Sequence, residues 1–147
     1  MTERPACNAR LVFVYGTLRR GGANDITRLQ PAPAWVGLAC VNAVMYHLGH
    51  YPGVLLGGRA QVVGEVYQIS PALERQLDVI EEVWPQPTGE YVKREVWVEP
   101  WPGVALPAQE VAVAGWRCLV YAVNPARAVG CPVIADGDWI KSAGRAI

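Results

Sequence analysis

The stretch RLVFVYGTLRRGG, residues 10–22, sets the pattern from which the rest of the chain is read. Arg10–Tyr15 is a β-branched and aromatic run that stops at Gly16, which reads as a strand feeding a turn. A glycine directly after a strand lets the backbone approach a ligand closely. Successive N–H groups in such a turn can form a nest for an anion such as a carboxylate. Gly16 and Gly21 have four residues between them, as in a phosphate loop. That loop would continue with Lys and Ser or Thr, and Gly22-Ala23 stand there instead, so a nucleotide phosphate site is rejected. On these residues alone an ordinary strand-ending turn explains the stretch at least as well as a binding loop does.

Further strands are predicted over Ala34–Tyr46, Gln61–Ile69 and Tyr91–Val98. His47–Gly53 reads as a turn, and Val83–Gly89, with two prolines, as a loop. Gly103–Glu110 is expected to be a second loop. Val111–Val123 holds one or two strands, the later one over Arg117–Val123. One helix is clear. Ser70 is its N-cap, Pro71 suits its first position, and Glu74 is expected to complete a capping box. Leu73, Leu77 and Ile80 repeat at helical spacing, so one face goes to a core and the helix should run to Glu81 or Glu82. Gly137-Asp138-Trp139-Ile140 reads as the start of a short terminal helix. Six or seven strands with one helix indicate an α+β fold, either a small barrel or a strongly curved sheet.

Thirteen basic and thirteen acidic residues cancel among 147. That length suits one domain over residues 1–147. Zero net charge argues against a nucleic-acid partner, which needs a basic face, and against a polybasic membrane-surface protein. No apolar run reaches the ~20 residues of a spanning helix. The N-terminus lacks the apolar run of a signal peptide, so a cytoplasmic location is expected. Cys7, Cys40, Cys118 and Cys131 form no C-x-x-C pair and are expected to be reduced and mostly buried.

Few side chains advertise chemistry. Glu81 lies one turn beyond Leu77 and so leans toward the core side, whereas Glu82 points about 100° away. A carboxylate turned inward has a raised pKa, as a general acid or base near neutral pH requires; a solvated helix-end glutamate is the plainer reading. Asp78 is expected to be structural, bonding a backbone N–H or Arg94. His47 and His50 have no nearby third ligand, so no metal is expected. Ser70 and Ser142 do not suggest a nucleophile triad. Asp136-Gly137-Asp138 lacks the repeat of a calcium loop and reads as a turn into the last helix. The six tryptophans are expected to be core or interface mass, with Trp84 a candidate pocket wall.

Together, FVYGTLRRG (13–21), YHLGHYPGV (46–54), GEVY (64–67), LDVIE (77–81), GEYVKREVWV (89–98) and GDWI (137–140) resemble the ordered motifs of the gamma-glutamylcyclotransferase-like family. The likeness spans residues 11–140 and is greatest to the bacterial YtfP-like branch. It implies a small mixed β-barrel flanked by short helices, acting on a small-molecule substrate with no metal or cofactor. It also implies that Tyr15, Gly16, Thr17 and Leu18 hold the substrate's α-carboxylate and that Glu81 is the catalytic acid and base. Tyr91 would line the pocket and hydrogen-bond substrate or Glu81. The reaction implied is closure of a γ-glutamyl group to 5-oxoproline with release of its amine. Glu82 stands where the family usually has Gly, which bears on how the helix ends and where Glu81 points. Trp84–Thr88 is a Pro-rich insert beside the pocket. Arg94 lies three residues after Tyr91, where many members have two. A non-catalytic pocket of the same fold and an interaction protein using its tryptophans are the alternatives. The sequence leaves a monomer and a homodimer both open.

Overall fold

The computed structural model describes residues 10–101 and 114–141. Its strands are β1 (Arg10–Val14), β2 (Ala34–His47), β3 (Pro52–Ile69), β4 (Tyr91–Pro100), β5 (Trp116–Val123) and the two-residue β6 (Val133–Ile134). Five of them, in the order β3-β1-β5-β4-β2, close into a barrel because β2 also pairs with β3. All these pairings are antiparallel except β1 with β5. β6 adds to the outer edge of β2. Closure removes the open sheet edges that would otherwise invite pairing with other chains. Of the two architectures the residues allowed, the barrel is therefore the one formed.

Alternate residues explain the sequence pattern. From β1, Phe13 fills the barrel interior while Val12 and Val14 face outward beneath a helix. From β5, Cys118 and Val120 go inside while Leu119 and Tyr121 meet the helix. These two strands are buried on both faces, so they read as continuous apolar runs, as parallel neighbours commonly do. β4 covers less and its outer face is exposed, hence its visible alternation. Helix α1 (Pro71–Ile80) closes the outer cluster with Leu73 and Leu77, both fully buried. The helix α2 (Pro125–Ala128), with Asn124 as N-cap, follows β5, and a 3-10 turn spans Ile26–Arg28. Residues 139–141 are helical, as GDWI suggested.

Three expectations are corrected. The third strand starts at Pro52, not Gln61. Gly57 and Gly58 interrupt the pattern because the register against β2 jumps from Asn42↔Gln61 to Ala43↔Leu56, a bulge inside one long strand. No capping box forms: Ser70 Oγ accepts the Leu73 N–H, and Glu74 lies one position too far along. Its carboxylate instead takes Lys93 at 2.6 Å. Asp78 bonds Lys93 and the Tyr121 hydroxyl, not Arg94. Of the six tryptophans only Trp139 belongs to the buried core, and Trp35, Trp84 and Trp97 are about half exposed. Cys40 and Cys118 are buried free thiols. The Gly103–Glu110 loop, the start of Val111–Val123, Cys7 and Ser142 lie outside the described residues. No described helix is long and apolar enough to cross a membrane.

Candidate active site

The turn after β1 is held from behind by a buried network. Arg19 Nε donates to Glu65 Oε2 at 3.0 Å, and Arg19 Nη1 to Asp138 Oδ1 at 3.0 Å. Glu65 Oε1 accepts the Arg20 N–H and the Tyr67 hydroxyl, both at 2.9 Å. A buried carboxylate with this many donors is satisfied. Four residues from three separated motifs, Arg19, Glu65, Tyr67 and Asp138, thus become one support. The turn's carbonyls are also used: Gly16 O accepts from Arg19 N, Thr17 O from Asn24 N, and Leu18 O from Ile26 N. The N–H groups of residues 16–18 make no hydrogen bond among the described residues, which leaves them free for a ligand. Gly16 is required by close approach, since a Cβ there would lie 2.6 Å from Cγ of Pro52.

Helix α1 brings Glu81 to the same place. Glu81 is its C-cap, and Glu82 follows with φ +60°. The Glu82 N–H bonds Val79 O and the Val83 N–H bonds Asp78 O. These two bonds make a Schellman ending, whose left-handed residue is usually Gly. The replacement of Gly by Glu82 therefore leaves the helix end intact. Glu81 is partly buried, and no hydrogen-bond or ion-pair partner of its carboxylate is found among the described residues. Burial first, then the nearby Glu90 and Glu82 carboxylates, push its pKa up to about 7.

One cavity of about 190 Å³ is lined by Tyr15, Gly16, Thr17, Leu18, Glu81 and Tyr91, all six residues singled out from the sequence. The Tyr91 hydroxyl donates to Pro52 O at 2.7 Å rather than to Glu81, and the Tyr15 hydroxyl donates to Tyr121 O. Burial, followed by proximity to Tyr15 and Glu81, raises the Tyr91 pKa far above its usual range, so it remains a donor. Trp84 is not on the wall. Sequence reading missed Tyr51, Glu82, Glu90 and Tyr121 as lining residues. Tyr51 and Glu90 sat inside quoted motifs, and their adjacency to Pro52 and Tyr91 was the available signal. His47 and His50 do not line the cavity: the His47 ring packs on Trp139 and its Nδ1 accepts the Gly49 N–H.

The family described as gamma-glutamyl cyclotransferase, AIG2-like, matches residues 12–141. A Vibrio cholerae protein provisionally named a gamma-glutamylcyclotransferase is 43% identical over 74 residues, covering 50% of this chain and 63% of that one. The gamma-glutamylcyclotransferase family protein YtfP of Escherichia coli is 38% identical over 71 residues, covering 47% of this chain and 59% of its own. Each alignment spans less than two thirds of the relative. Among solved structures, an AIG2-like protein of Mus musculus shares the fold with a TM-score of 0.66 at 24% identity, covering 85% of each chain.

Proposed function

The chain belongs to the gamma-glutamyl cyclotransferase, AIG2-like family, and we propose that it converts a γ-glutamyl amine or peptide to 5-oxoproline and the free amine. In this reading the N–H groups of residues 16–18 hold the substrate's α-carboxylate, and Tyr15 and Tyr91 wall the glutamyl group. Glu81 takes a proton from the α-ammonium. The freed nitrogen attacks the γ-carbonyl carbon, a five-membered lactam closes, and the bond to the leaving nitrogen breaks. Glu81 returns the proton to that nitrogen. The α-nitrogen sheds two protons in becoming the lactam N–H. The leaving nitrogen gains two in departing as an ammonium, so none is consumed. Attack is intramolecular, which removes most of the entropic barrier. The site would be complete with this chain's residues and no cofactor.

The observation that most supports this reading is the unpartnered Glu81 carboxylate, with a pKa near 7, in the same cavity as the free amides of residues 16–18. A group that titrates near neutrality can both accept and return a proton. Purified protein incubated with γ-glutamyl compounds is expected to release 5-oxoproline. Glu81→Gln should lower kcat by about a hundredfold or more. If Glu81→Gln turns over at the wild-type rate, Glu81 is not the acid and base.

A further inference from the structure

The cavity that holds Glu81 has a second electrostatic feature. Glu82 and Glu90 line it as well, and no lysine, arginine or histidine is among its lining residues. Both neighbours are close enough to raise the pKa of Glu81, so their carboxylates act on the same space. Glu90 is fixed there, since the Tyr51 hydroxyl lies 3.1 Å from each of its carboxylate oxygens. Glu82 is kept at a left-handed helix-ending position where Gly would be free of strain. Arg127, whose charge is felt at Tyr51 on the wall, is not itself a lining residue, and its Nη2 donates to Thr88 O. A γ-glutamyl group supplies one positive charge, its α-ammonium, which Glu81 meets in the proposed reaction. The two remaining carboxylates line the same cavity and are left unused by the glutamyl group itself.

We infer that this pocket selects γ-glutamyl compounds whose leaving group is a cationic amine, such as a diamine or polyamine, over those whose leaving group carries a carboxylate. Glu82 and Glu90 are the specificity-determining residues. This inference rests on the proposed function. A second ammonium in the pocket relieves the repulsion among three carboxylates, whereas an anionic leaving group adds to it. The leaving amine departs as an ammonium in any case, and the same carboxylates stabilise that developing charge.

Three γ-glutamyl amides of equal chain length, ending in an ammonium, a methyl group or a carboxylate, test this directly. The wild-type kcat/KM should be about tenfold higher for the ammonium compound than for the carboxylate compound, the scale of two partly exposed charge contacts. That ratio should shrink toward one in the Glu82→Gln/Glu90→Gln double variant, and should fall in the wild type as salt rises. Turnover with no preference, or with preference for the carboxylate compound, would overturn the inference while leaving the proposed function intact. A preference that survives the double variant removes Glu82 and Glu90 as its source and overturns it too. No 5-oxoproline from any of the three overturns the proposed function and this inference with it.

Discussion

Glu81 is costly as an anion, and that cost sets its behaviour with pH. Its folded pKa, about 7, lies above the ordinary 4.5. Between those values the folded state holds a proton that the unfolded state has lost, so stability falls as pH rises through the window. Glu81→Gln removes the penalty. It should stabilise the protein by about 2 kcal/mol above pH 7, and by much less near pH 5, in denaturant melts at both pH values. Under the proposed function the same residue should give kcat/KM a limb that rises with pH to about 7. Glu90→Gln removes the stronger of the two like-charge influences on Glu81 and should shift that limb to lower pH. Glu82 makes a different contribution. At φ +60° a side chain other than Gly is strained, so Glu82→Gly should raise stability by about 1 kcal/mol. A loss of stability instead would mean that the Glu82 side chain makes a compensating contact.

At the scale of elements, the turn after β1 works because other segments hold it from behind. Arg19 and Glu65 side chains are only 9% and 7% exposed. Arg19→Met leaves the Glu65 carboxylate short of its charge partner and should cost about 3 kcal/mol in chemical denaturation. Adding Glu65→Gln should recover part of that loss; full additivity of the two would deny the pairing. Gly16→Ala drives a methyl group into the Pro52 ring, which cannot swing aside. A cost of about 1–3 kcal/mol is expected. Much of this was legible in the residues. The strand-turn signal at Tyr15-Gly16, the Ser70 cap and the Leu73, Leu77, Ile80 repeat are local, and each local rule agreed with the fold. The partner choices were not legible. Whether Asp78 meets Arg94 or Lys93 depends on which face of β4 turns toward α1, and a barrel's register fixes that through long-range pairing.

For the whole molecule, the chain pattern left barrel and curved sheet open because both bury the same alternating faces. The pairing of β2 with β3 decided it, and five of its thirteen residue pairs come from residues 52–56, which the glycines that follow hid as strand. Closure brings the end of β1, the end of α1 and the start of β4 to one mouth, which is why Tyr15, Glu81 and Tyr91 share a cavity despite their separation in sequence. Three carboxylates line that mouth together with residues 16–18, whose amides are free, and the proposed substrate would bring both a carboxylate and an ammonium to it. The most direct test is 5-oxoproline release from γ-glutamyl compounds by wild type and Glu81→Gln, assayed side by side near pH 7 with the fold of each checked by melting. The account predicts steady release by the wild type and loss of about a hundredfold or more in a folded Glu81→Gln protein. Equal release by the two proteins, or none by the wild type, would contradict it.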